Sequence, residues 1–296
     1  MILGLTIITA AVLFIILSLY KAVSFAHMPL HARMELYPVP QEKGRHKYGG
    51  SYMEETEWWS KPRQISKTSE LIDMMKEMLF IKKLFVNQRS LWWISYAFHV
   101  GIYFLFAWTF LLVAGAVTEF AGLSVSLHAM WWTVILYYIT IFTGVIGLFM
   151  TGLGAAFLLL RRIFDPILSK YTTPQEYFNL LLLLATLISG IIIWSPDLTF
   201  TSARQVTAQA LTLSIVPTTA LMVHIILLAI TFVYIPLSKM SHYVGKYFTY
   251  HKILWENEPN VAGSEMEQRV KNAMQNKPVT KWSASHIQPP VAEKEA

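Results

Sequence analysis

Cysteine is absent from all 296 residues, and that single absence removes disulfides, thiolate zinc sites, iron–sulfur clusters and the thioether anchor of c-type haem. Any metal held by this chain hangs on histidine, methionine or carboxylate. Charge is also scarce. Asp, Glu, Lys and Arg together make up 14% of the residues, against about 25% in soluble domains, while 54% are hydrophobic. A soluble domain is therefore the wrong class. The net charge of +6 raises the question of nucleic acid, but in a membrane chain the position of the charge matters more than its size.

What is present is a set of five uncharged apolar runs, each long enough to cross a hydrocarbon core of about 30 Å as a helix. They begin near Leu3, Leu91, Leu127, Tyr177 and Pro217 and end near Tyr20, Val117, Leu160, Trp194 and Leu237. Only helices or closed barrels satisfy their backbone in lipid, so the fold is read as all-α and polytopic with five transmembrane helices. The first run lacks a basic start and an Ala-x-Ala site and is read as retained rather than cleaved. The domain reading is a first span over 1–20, a loop with an amphipathic helix over 21–90, a four-helix core over 91–237 and a tail over 238–296.

Lysine and arginine divide unequally between the two sides. The segment 21–91, the loop 161–176 and the tail after 237 hold 23 of them, and the segments 118–126 and 195–216 hold one. By the positive-inside bias the N-terminus faces out and the tail is cytoplasmic, in an inner, cytoplasmic membrane. The basic character is then topology, and no nucleic-acid partner is expected. Trp92, Trp93, Trp131, Trp132 and Trp194 fall near span ends, where indoles favour the interface. In the basic loop, Leu71, Met74, Met75, Met78, Leu79, Phe85 and Val86 recur at helical spacing among Lys76, Lys82 and Lys83, which predicts a helix lying on the bilayer or a docking surface. The polar tail after Pro259 has no apolar period and is expected to be extended or partly disordered until a partner covers it.

Histidine inside a span needs a reason, because ionisable groups are costly there. A lone imidazole usually bridges helices by a hydrogen bond. His224 and His242, however, are 18 residues apart, five whole turns, so one unbroken helix would present both on one face about 27 Å apart. Pro236 between them can kink that helix, which contacts in a membrane bundle tolerate. His99, eight residues into the second span, matches His242 in depth. Two imidazoles on different helices at one depth form the axial set of a low-spin haem, and His99 and His242 are read as ligands of an inner haem b. At the matching outer depth the second span carries Thr109, which leaves His128 as the candidate opposite His224, either as an outer haem ligand or as a quinone partner. Gly101, Gly115, Gly144, Gly147, Gly152 and Gly154 are read as close helix contacts. His27 and His31 have metal-like spacing but no third ligand, and His46, His251 and His286 lie in the loop and tail.

Three segments carry a resemblance: Phe98-His99-Val100-Gly101-Ile102, the stretch Leu158 to Pro174 reading LLLRRIFDPILSKYTTP, and Val223 through His242 with its 18-residue histidine interval. Over most of residues 91–252 the chain resembles the gamma-subunit-like membrane cytochrome b family of respiratory nitrate reductase. It departs at Thr109, where nitrate reductase members carry a second histidine. The loop from His27 to Ser90 and the segment Lys246 to Glu258, reading KYFTYHKILWENE, are similar to the branch found in sulfate-reducer and heterodisulfide-reductase-like membrane complexes, including sulfite-reduction-associated and transmembrane tetrahaem-cytochrome complexes.

The resemblance implies one or two b haems, a menaquinone or menaquinol substrate, a cytoplasmic iron–sulfur subunit of heterodisulfide-reductase type and further subunits including an outer cytochrome c. The chain would then be an electron-transfer subunit of an oxidoreductase complex. Residues Trp58 to Phe85 and Lys246 to Glu258 are candidates for partner contact, and Glu119 and Asp197 for accepting quinol protons. Two rivals remain open at this point, a proton-conducting transporter using the histidines as relays and a quinone-binding membrane anchor without a full haem pair.

Overall fold

The computed structural model describes residues 1–27, 42, 54–61, 66–252 and 261–275. Contacts divide the chain into two units, Met1–Phe25 with Lys67–Tyr247, and Ala26–Ser66 with Phe248–Ala296. The first unit thus takes in 67–90 and 238–247 along with the expected core.

Five helices are long and apolar enough to span a membrane, and the chain is a multi-pass membrane protein. They are α1 (Ile2–Ala26), α4 (Arg89–Phe120), α5 (Trp131–Phe164), α7 (Pro174–Trp194) and α9 (Thr219–Leu237). Between them lie α2 (Lys67–Phe80), α3 (Lys82–Asn87), α6 (Pro166–Tyr171) and α8 (Thr201–Leu211), and α10 (His242–Lys246) follows α9. Local chemistry sets the boundaries. Asp165 accepts the Ile167 and Leu168 N–H groups at 2.9 and 3.0 Å to start α6, with Pro166 at its first position. Thr173 and Glu176 form a capping box ahead of Pro174, which starts α7.

Glycine lets α4 and α5 close on one another. A Cβ at Gly101 would lie 2.4 Å from the Thr151 backbone nitrogen, and one at Gly154 would lie 2.7 Å from the Phe98 Cα. Gly147 is crowded by Leu105 in the same way, Gly115 makes room for Arg204 and Gly144 for Phe200 and Trp108, whereas Gly152 faces open space. On the other side of the bundle α7 and α9 are joined by polar rungs: Tyr234 Oη donates to Asn179 Oδ1 at 2.8 Å, and the Thr186 and Thr231 hydroxyls meet at 2.9 Å. Leu3 and Ile7 of α1 pack on the cluster of Ile215, Leu221 and Ile225 at the start of α9.

Four expectations are corrected. The third span begins at Trp131 rather than near Leu127. The amphipathic stretch is two helices, broken at Ile81, whose φ of 51° is in the left-handed region that β-branched residues avoid. The segment 195–216 contains α8, a helix with no apolar run to announce it. Most consequential, α9 does not continue to His242. Pro236 has no N–H to give and its ring crowds the preceding turn, and the chain turns extended at Ser238 (φ −106°, ψ −177°). The Ser238 hydroxyl then accepts the Met240 N–H at 3.2 Å, a 3-10 turn covers Lys239–Ser241, and α10 starts afresh.

In the second unit the tail is not wholly extended, because Glu265–Gln275 forms helix α11. Met266, Val270 and Met274 recur every four residues along one face, an apolar row the sequence reading missed. The i,i+4 pairs Arg269 with Glu265 and Lys271 with Glu267, each at 2.7 Å, add to it. A single 3-10 turn, Trp58–Ser60, lies beside the Lys61–Glu55 pair.

Candidate functional site: a histidine pair between two helices

His99 of α4 and His242 of α10 meet, with ring centroids 6.1 Å apart and planes inclined at 70°. The helix break therefore changes how His242 gets there but not where it arrives. His99 Nδ1 lies 2.7 Å from the Ser95 carbonyl oxygen, and His242 Nδ1 lies 3.3 Å from that of Lys239. A carbonyl can only accept, so each Nδ1 carries a proton, and no hydrogen bond among the described residues engages either Nε2. Backbone carbonyls fix ligating histidines in this way in metal sites. Two imidazoles sharing one metal, each bonded at about 2 Å with a ring radius of about 1 Å, have centroids about 6 Å apart. The donor set and spacing fit an axial haem pair. Among the described residues no cluster of three or more His, Asp or Glu side chains offers an alternative metal site.

His224 sits elsewhere. Its Nδ1 is 2.9 Å from the Ser189 hydroxyl on α7, and that hydroxyl donates to the Thr186 carbonyl, so His224 donates to Ser189. Gly190 makes room for the ring, since a Cβ there would lie 3.0 Å from His224 Cε1. His224 is thus a third polar rung between α7 and α9, with Nε2 uncommitted. No hydrogen bond or ring contact among the described residues joins it to His128, which lies exposed between α4 and α5. Thr109, also exposed, donates to its own helix at Leu105. The structure brings together one of the two expected pairs.

The two candidate proton acceptors are occupied. Glu119 is in the last turn of α4 and takes the Arg204 Nε–H at 2.7 Å. Arg204 is 2% exposed, and its second contact is the Val125 carbonyl at 3.0 Å. A buried arginine pinning three segments was hidden in the sequence, because a lone Arg in a loop looks solvated. Partial burial pushes the Asp197 carboxyl up, but hydrogen bonds from the Thr199 hydroxyl, Ser202 and the Thr199 N–H outweigh it and hold it at about 2. Asp197 ties down the start of α8 and is a poor base at neutral pH.

His27 is exposed at the end of α1. His31, His46 and His286 lie outside the described residues, as do 62–65 and 253–258 of the expected partner-contact segments. Compared with family models, curated proteins and solved structures, the chain matches none.

Proposed function

We propose that the chain is a membrane cytochrome b subunit that exchanges electrons between a menaquinone-type quinone and an iron–sulfur partner of heterodisulfide-reductase type. The observation that carries this reading is the His99–His242 pair, two imidazoles each held at Nδ1 by a backbone carbonyl, with rings 6.1 Å apart. A haem b bound there supplies one-electron chemistry inside the bilayer. His99 and His242 would hold it, and the Ser95 and Lys239 carbonyls orient the two rings. The carrier that reaches such a site from within the membrane is lipid-soluble, which favours a quinone. The partner docks on the side rich in Lys and Arg, in this reading the cytoplasmic side of an inner membrane. An outer cytochrome c subunit completes the complex on the other side.

This reading takes one haem rather than two, because no second histidine among the described residues meets His224. The test is a haem assay with reduced-minus-oxidised spectra on the purified chain. One low-spin b haem, lost in both His99→Ala and His242→Ala and kept in His224→Ala and His128→Ala, is the expected result. A wild-type chain without haem sinks the cytochrome reading and leaves the transporter or quinone-anchor rivals.

A further inference from the structure

The break at Ser238 poses a mechanical question: α9 no longer aims His242, so something else must. The His242 bond to Lys239 is long at 3.3 Å and local, and fixes the ring only relative to its own turn. The contacts that fix the turn come from other helices. Ser18 of α1 bonds Tyr243, and Lys21 donates to Ser241 at 3.4 Å. From α2 comes the strongest, the Glu77–Lys246 ion pair, with Oε1 to Nζ 2.6 Å.

Glu77 is 4% exposed although it belongs to a short helix whose apolar side chains Leu71, Met75 and Leu79 are open. Both of its oxygens are used, Oε1 by Lys246 and Oε2 by the Lys83 N–H at 2.8 Å. A carboxylate is buried this way only when its charge is matched and its lone pairs filled. Lys246 is four residues after His242, on the same face of α10. In that same last turn α2 is fixed to α4, the helix of His99. Trp92 Nε1 donates to the Phe80 carbonyl and Tyr103 Oη to that of Met78, both at 2.7 Å. Tyr103 is itself four residues after His99.

The contacts close a ring running from His99 along α4 to Tyr103, across to α2, through Glu77 to Lys246 and back to His242. We propose that Glu77 and Lys246 are positioning residues that set the distance and angle of His242 against His99. The last turn of α2 thereby acts as a strut between the two imidazoles. The inference concerns the geometry of the pair, and its spectroscopic arm rests on the haem reading.

The absence of cysteine supplies the test. In the full-length chain, His99→Cys with His242→Cys is treated in membranes with a short bifunctional thiol reagent, with and without Glu77→Gln. A fall in cross-linking rate of roughly fivefold, the population change given by about 1 kcal/mol, is expected. An unchanged rate overturns the proposal. In chains retaining both histidines, Glu77→Gln and Lys246→Met should shift the low-spin electron paramagnetic resonance signal and the haem midpoint, and Lys246→Arg should restore both. Wild-type signals in Lys246→Met also overturn it, and that variant decides if Glu77→Gln fails to fold. A wild-type chain without haem refutes the cytochrome reading, while the cross-linking arm still decides the role of the strut.

Discussion

Ser189 on α7 and His224 on α9 share a hydrogen bond of 2.9 Å in the same row as the Thr186–Thr231 and Asn179–Tyr234 contacts. The row makes His224 part of a helix–helix seam. His224→Ala should keep the haem while lowering the thermal midpoint, by a cost of about 1 kcal/mol for one interhelical hydrogen bond. Ser189→Ala should give a similar loss. Thermal unfolding followed by circular dichroism, beside a haem assay, separates the two roles of His224.

Arg204 and Glu119 support a second expectation. Glu119→Ala strips the partner from a guanidinium that is 2% exposed. A destabilisation of about 3 kcal/mol is expected, the lower end for breaking a buried pair because Glu119 is itself part-exposed. Lys in place of Arg204 should not rescue, since one ammonium cannot reproduce the Nε and Nη2 contacts. Denaturant unfolding of the two variants checks both statements.

At the contact of α4 with α5, Gly101→Ala drives a methyl to within 2.4 Å of the Thr151 backbone. Overpacking there should cost about 1–3 kcal/mol. Thr151→Val points the other way. The Thr151 hydroxyl is buried without a partner among the described residues, and replacing it by a methyl of the same shape should be neutral or stabilising. Melting temperatures of opposite sign in the two variants are the signature to look for.

Asp197 gives a pH dependence. Its folded pKa of about 2 lies below the unfolded value of about 3.9, so its contribution is complete above the unfolded value and is lost as pH falls toward 2. Hydrogen exchange at the start of α8 should rise over that window in the wild type. In Asp197→Asn the rise should be absent, with α8 already loosened at neutral pH.

Hydropathy alone carried the five spans, because each is a long uncharged run with one physical reading. The His99–His242 pair was legible because a histidine inside a span asks for a reason and His242 was read at the same depth as His99. The route to it was not, since an 18-residue interval fits five turns of a continuous helix equally well and Pro236 in a membrane helix does not by itself announce a break. Arg204, α8 and Ile81 were hidden for another reason: what fixes them is tertiary. A single Arg becomes a buried clamp only when Glu119 and Val125 arrive beside it. The residue with a positive φ here is isoleucine, the type least expected to adopt it.

The turn at Ser238 separates two requirements that a continuous helix would fuse. On an unbroken helix, adding or removing one residue swings every later side chain by about 100°. Here the length of α9 between Thr219 and Leu237 answers to the thickness of the lipid, while the heading of His242 is governed by Ser18, Lys21 and Glu77 from other helices. Span length can thus drift among descendants of this sequence without turning the imidazole away from His99, and substitutions that follow such drift should concentrate in residues 236–241 rather than in the histidines.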